Sequence, residues 1–144
     1  MTSTLIAEAL GGRKILGRSV KNFAELAELI RQGLPSGSLL VLGKKLDLKN
    51  AALSETLGIP QRTLTRRLSR HSRLTAAESD RTVRLARVYA TAVEMIGNAH
   101  KAAQWLRTQN RALGGAVPID CLDTELGARE VENILGRIAY GVYS

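Results

Sequence analysis

Apolar residues recur every three to four positions along most of the chain, and they nowhere alternate residue by residue. That period belongs to helices, and Ala and Leu, both strong helix formers, dominate the composition. The pattern predicts an all-α fold. Thr4–Leu10 reads as a short helix stopped by Gly11 and Gly12. Asn22 is placed to cap a helix through Phe23, Leu26, Ala27 and Ile30, with Gly33 as its stop. Pro35 and Ser36 open another through Leu39, Leu40, Leu42 and Leu46. Thr75 and Glu78 form a capping box at the head of a long helix from Ala76 to Ile96, whose stripe runs through Val83, Ala86, Ala90, Val93 and Ile96 or their neighbours. Gly97 ends it, and Asn98 caps the next helix, which holds Ala99, Ala102, Ala103, Trp105 and Leu106. Asn110–Pro118 is a turn segment built on Gly114 and Gly115, and Ile119–Leu122 a single helical turn. Thr124 caps the last helix, with Val131, Ile134, Leu135, Ile138 and Val142 on one stripe.

The stretch Ala51–Arg70 is more specific. A short helix, Ala51–Leu57, meets Gly58, which tolerates the positive φ of a tight turn. Ile59 packs inward, and Pro60 suits the first turn of a second helix, Gln61–Arg70. Leu53, Leu57, Ile59, Leu64 and Leu68 supply the contact between the two. This is the pattern of a helix-turn-helix. Its second helix turns Gln61, Arg62, Thr63, Thr65, Arg66, Arg67 and Arg70 away from Leu64 and Leu68. Those side chains suit a DNA-reading helix: Arg for guanine edges or phosphate, Gln for adenine, Thr for phosphate or a thymine methyl. An amphipathic hairpin with a basic exposed face uses the same residues. The coincidence of turn chemistry and basic face favours DNA. Arg81, Arg84 and Arg87 line a face of the long helix and fit either DNA backbone contacts or a solvated flank of the core.

Charge sharpens this reading. The 144 residues carry a net charge of +8. Residues 60–97 hold 8 basic and 3 acidic residues, whereas residues 98–144 hold 5 of each. The positive field therefore sits in the middle of the chain, as in a nucleic-acid binder. The chain has five aromatic residues, and two of them, Tyr140 and Tyr143, fall in the last five positions. That end either docks on its own core or is offered to a partner. No apolar run approaches the roughly 20 residues of a membrane helix, and no secretion signal is evident. One cysteine, Cys121, fits a reducing cytoplasm.

Chemistry is sparse. Gly43-Lys44 fails as a phosphate loop, because Lys45 stands where Ser or Thr is required and the segment reads as helix. Cys121, His71 and His100 lie in unrelated contexts, without the spacing of a catalytic or metal site. The sequence predicts no catalytic residue, no metal and no cofactor.

The C-terminal residues carry a family resemblance. Trp105-Leu106, Asn110, Leu113-Gly114-Gly115, Pro118, Thr124, Gly127, Val131, Leu135-Gly136-Arg137-Ile138 and Gly141-Val142 resemble, in that order, the toxin-binding domain of Xre/MbcA/ParS antitoxins. Leu74-Thr75, Glu78-Ser79-Asp80-Arg81 and Arg84-Leu85-Ala86 resemble that family's link from its helix-turn-helix. The resemblance covers about Leu53–Ser144 and implies a non-enzymatic antitoxin of a type II toxin–antitoxin pair. The implied partner is a RES-domain toxin that consumes NAD or modifies a protein with it. The implied roles are neutralising that toxin and repressing the antitoxin's own operon. The implied blocking element is the C-terminal tail, Tyr140, Gly141, Val142, Tyr143 and Ser144, with Arg137 as a nearby polar contact.

The division expected is an N-terminal helical segment of open role (1–50), a helix-turn-helix with its connecting helix (51–97) and a toxin-binding domain (98–144). A helix-turn-helix commonly binds a two-fold operator as a dimer, so a homodimer in the cytoplasm is expected, with toxin and operator DNA as partners and no membrane. The alternative is a stand-alone repressor whose C-terminal helices only dimerise.

Overall fold

A computed structural model of the chain describes residues 2–139. Its helices are α1 (Thr2–Ala9), α2 (Gly12–Leu16), α3 (Phe23–Gln32), α4 (Gly37–Leu46), α5 (Asn50–Leu57), α6 (Gln61–Ser69), α7 (Ala76–Ile96), α8 (Ala99–Leu106) and α9 (Glu125–Ala139). Two 3-10 turns, Arg111–Leu113 and Pro118–Cys121, lie between α8 and α9. The only pairing of β type among the described residues is a single bridge between Pro35 and Arg73. The fold is all-α, as the periodicity predicts.

The polar punctuation works as the sequence suggests. The Asn22 side chain accepts the Glu25 N–H at the head of α3, and Asn98 accepts the Lys101 N–H at the head of α8. Thr75 and Glu78 complete a reciprocal capping box on α7. Thr124 Oγ1 accepts the Gly127 N–H at 3.0 Å and opens α9. One element is additional to the sequence reading. After Gly11 and Gly12 the chain makes the short helix α2, which delivers Leu16 to the core, and Val20 follows it there. Five residues give too little periodicity to announce a helix.

The long helix α7 is the axis of the molecule. It packs against α1, α3, α4, α5, α8 and α9. Its buried set is correspondingly wider than the stripe predicted for it. Val83 and Ala86 are buried as expected, but so are Ser79, Thr82, Leu85, Val88, Tyr89 and Ala92, while Ala90, Val93 and Ile96 are only half-buried. A helix covered on several sides has no single apolar stripe.

Buried polar groups on α7 all have partners. Thr82 Oγ1 donates to the Glu78 carbonyl at 2.8 Å. Ser79 Oγ accepts the Leu34 N–H at 2.9 Å, and the Leu34 carbonyl in turn accepts the Leu74 N–H at 2.8 Å. Arg73 Nη1 donates to the Gly33 carbonyl at 2.7 Å. The end of α3 is thereby sewn to the approach to α7. Gly33 is required there, because its φ of +94° brings the backbone so close that a Cβ would collide with the Leu74 carbonyl.

Further along the helix, charge joins α7 to α9. Positions 84, 87 and 91 share one face of α7, and Glu125 and Glu132, two turns apart, share one face of α9. The Arg87 guanidinium reaches both glutamates, at 2.9 Å from each. Arg84 contacts Glu125 at 3.4 Å and donates to the Leu122 carbonyl at 3.3 Å. The Arg87 hydrogen bonds outweigh burial and hold the Glu125 carboxyl below its ordinary pKa. Burial works against the charge of Arg87, but the hydrogen bonds it donates to both glutamates reverse the balance and raise its pKa. Below this ionic layer Ala128, Val131, Ile134 and Leu135 of α9 are buried.

Glu125 stabilises the fold through its charged form. Its depressed folded pKa means that the contribution is complete above the ordinary glutamate value of about 4.3. It is lost as the pH falls through the folded value. Urea midpoints measured from pH 6 down to pH 3 will therefore fall with acidification, and Glu125→Gln will be less stable at pH 6 with a flatter acid limb. Two glycines of α9 separate packing from propensity. A Cβ at Gly127 would strike the Cys121 carbonyl, whereas at Gly136 no described atom lies within 4 Å. Gly127→Ala will destabilise by about 1–3 kcal/mol, and Gly136→Ala will stabilise by about 0.5–1 kcal/mol. Both changes are readable by denaturant unfolding.

Candidate functional site

The turn between α5 and α6 is built from local necessities. Gly58 takes φ +64°, and the Ile59 N–H returns to the Ser54 carbonyl at 3.1 Å. The Ser54 hydroxyl donates to the Ile59 carbonyl, locking the turn from the side-chain direction. Leu53, Leu57, Ile59 and Leu64 are each no more than 2% exposed and form the seam between the two helices. Leu68 packs half-buried at its edge. Arg81 of α7 donates to the Leu57 carbonyl at 2.7 Å, fastening the end of α5 to the long helix.

This seam turns the rest of α6 outward. Gln61, Arg62, Thr65 and Arg66 are exposed, as is Arg70 directly after the helix, and Thr63 is half-buried. Arg62, Arg66 and Arg70 stand at four-residue steps and form one row. Among the described residues, no acidic group lies within salt-bridge distance of any of the three. Pro60 supplies no side-chain cap, so the first N–H groups of α6 also point outward unsatisfied by a cap. The row ends where the helix does. His71 adopts φ +51° and the Ser72 N–H bonds back to the Arg67 carbonyl at 3.1 Å.

Arg67 differs from its neighbours. Its Nε and Nη2 donate to the two carboxylate oxygens of Glu78 at 3.1 and 3.2 Å. Glu78 Oε1 also accepts the Thr75 N–H at 2.9 Å, within the capping box. Burial opposes the Glu78 charge, but the hydrogen bonds from Arg67 and Thr75 prevail and lower its pKa. Arg81, Arg84 and Arg87, for which the sequence allowed DNA backbone contacts, are likewise turned inward. Each is held by a carbonyl or carboxylate of the fold, namely Leu57, Leu122 and the Glu125–Glu132 pair. The exposed cationic face is thus smaller than the basic count of residues 60–97 suggests.

In the C-terminal region, Arg137 is partly exposed and lies 3.9 Å from Glu130. Tyr140, Gly141, Val142, Tyr143 and Ser144 fall outside the described residues. A groove of about 600 Å³ is lined by Leu113, Asp120, Cys121, Leu126 and Glu130, among others, and Leu126 is 80% exposed. Cys121 is no activated nucleophile, since burial, then the nearby Asp120 and Asp123 charges, push its thiol pKa up.

Sequence reasoning missed the second role of Glu78, the inward turn of Arg67, and the Arg87–Glu125–Glu132 cluster. The capping box announces Glu78 as a cap, but its ion pair spans eleven residues and two helices. The glutamates of α9 lie 38 and 45 positions from Arg87, so only their spacing of seven hinted at a shared face.

Two family models match the chain. Residues 91–141 match the antitoxin Xre/MbcA/ParS C-terminal toxin-binding domain, and residues 25–87 the antitoxin Xre-like helix-turn-helix domain. The second match takes in α3 and α4 as well as α5 and α6. Similar proteins include an antitoxin Xre of Yersinia enterocolitica, 40% identical over 98 residues, which are 67% of this chain and 66% of that protein. An antitoxin Xre of Photorhabdus laumondii is 44% identical over 88 residues, 60% of each chain. The matched stretches thus span less than two thirds of these two relatives. A Prs ADP-ribosylating antitoxin of Sphingobium is 24% identical over 93% of this chain and 96% of its own length. With a helix-turn-helix domain of this kind followed by a toxin-binding domain of this kind, the chain belongs to the Xre/MbcA/ParS antitoxins, which are not an enzyme family.

Proposed function

We propose that this protein is the antitoxin of a type II toxin–antitoxin pair in the cytoplasm, and that it acts through two binding surfaces. One surface reads operator DNA upstream of its own gene, the other silences a RES-domain toxin that consumes NAD or ADP-ribosylates a protein. The observation that carries the DNA role is the row Arg62, Arg66 and Arg70, exposed and, among the described residues, without acidic partners on the second helix of a helix-turn-helix. Exposed guanidinium groups in that position suit phosphate and guanine edges, and Gln61, Thr63 and Thr65 beside them suit bases or phosphate. A two-fold operator bound by a homodimer follows from the usual geometry of the motif.

The toxin role draws support from the C-terminal domain match and from the relative named a Prs ADP-ribosylating antitoxin. The second points to a partner that works with ADP-ribose. The tail Tyr140–Ser144 is the proposed blocking element, with Arg137 nearby. Tyr supplies apolar area and a hydroxyl at low rotamer cost, which suits a plug for a nucleotide site. On this reading residues 51–97 serve DNA, residues 98–144 serve the toxin, and residues 1–50 support the shared helix α7.

Each surface has its own test. Arg62→Ala and Arg66→Ala will each weaken operator binding and lower the salt slope of log K by about one, with toxin binding unchanged. A parallel loss of both activities would mean misfolding and defeat the assignment. Deleting Gly141–Ser144 will leave a folded, DNA-binding protein that no longer blocks NAD consumption by the toxin encoded beside it. Full inhibition by the shortened protein would rule out the tail as the blocking element.

A further inference from the structure

Resting on the DNA-reading role of α6 proposed above, we infer that Arg67 is a positioning residue, which sets the recognition helix against α7 through Glu78 and does not itself touch DNA. A nine-residue helix is marginal alone and takes its orientation from tertiary anchors. In α6 those anchors are few. Leu64 is fully buried, Leu68 is half-buried, and among the described residues Arg67 is the one polar side chain of the helix with an ionic partner.

The geometry of that partner is rigid. Both oxygens of Glu78 receive the planar fork of Arg67, at 3.1 and 3.2 Å. One of the same oxygens is fixed by the Thr75 backbone, and Glu78 is itself in the first turn of α7. The side chains of the pair are only 21% and 10% exposed. Swinging Arg67 out to a phosphate would leave the Glu78 carboxylate nearly buried and unpaired, which is costly. The neighbouring row of Arg62, Arg66 and Arg70 has no such tie among the described residues, and Arg67 lies about 100° around the helix from Arg66. The lowered pKa of Glu78 agrees with a carboxylate kept charged by this pairing.

Two variants separate the roles. Glu78→Gln keeps an acceptor for the Thr75 N–H, because Gln also serves in capping boxes, and removes the charge that Arg67 grips. Arg67→Gln removes the fork. On a duplex taken from upstream of its own gene, each will weaken binding by about tenfold. That is the loss expected when the binding-competent orientation falls to about a tenth of the population. The double variant will bind no worse than either single one. The salt slope will stay at the wild-type value in all three, whereas Arg62→Ala lowers it by about one. Arg67→Lys will not restore binding, since an ammonium cannot reproduce the two-pronged contact. In the protein without DNA, hydrogen exchange of α6 amides will accelerate in Glu78→Gln and Arg67→Gln, while α9 amides keep their protection.

The inference is overturned if Arg67→Gln lowers the salt slope by about one while Glu78→Gln binds as tightly as wild type or more so. It is also overturned if α6 exchange is unchanged in Glu78→Gln. A wild-type protein with no preference for its upstream DNA would instead overturn the DNA-reading role, and the exchange rates would still decide whether the pair holds α6.

Discussion

Burial of α7 is the constraint on which the rest of the structure depends. A 21-residue helix packed by six others can carry polar residues only where each finds a partner. Ser79 and Thr82 meet that demand with backbone groups, and Glu78 meets it with Arg67 and Thr75. These partners are not incidental. Ser79 receives the loop after α3, Glu78 receives α6, and Arg81 receives the end of α5. The polar groups that α7 must satisfy are the ones that assemble the helix-turn-helix around it. Further along, Arg84 and Arg87 do the same for α9. One helix therefore sets the position of both the exposed face of α6 and the C-terminal domain.

The arginines illustrate how little a residue type says without its surroundings. Residues 60–97 contain eight, and they divide by the reach of nearby acceptors. Arg67, Arg84 and Arg87 find glutamates, and Arg73 and Arg81 find backbone carbonyls. Among the described residues Arg62, Arg66 and Arg70 find neither, and they are the ones that share a row. Ion pairs at the surface contribute little to stability, but a half-buried fork such as Arg87 with Glu125 and Glu132 adds orientation as well as energy. The basic middle of the chain is thus partly internal mortar and only partly a surface.

Local signals in the sequence were faithful. Asn22, Thr75, Asn98 and Thr124 all cap the helices assigned to them, Gly58 makes its turn, and the limits of α7 match the expected Ala76 and Ile96. The seam Leu53, Leu57, Ile59 and Leu64 was equally legible, because apolar spacing and a glycine turn suffice to define it. What could not be read were relations between distant helices. Nothing at Arg67 marks it as different from Arg66, for the difference is a glutamate eleven residues on whose placement depends on the turn through His71. The width of the α7 burial was hidden for the same reason. Periodicity reports one covering neighbour well and several poorly. The basic face of α6 was legible, but which of its arginines are exposed depends on the fold.

The pairing of α9 with the arginines of α7 also shapes how the molecule travels before it binds anything. Glu125 and Glu132 cancel positive charge beside the middle of α7, while among the described residues the row on α6 has no acidic partner. Such a distribution behaves as an electric dipole. In the field of a polyanion, a dipolar protein rotates before it collides. A polyanion would therefore meet the α6 side first more often than random orientation allows.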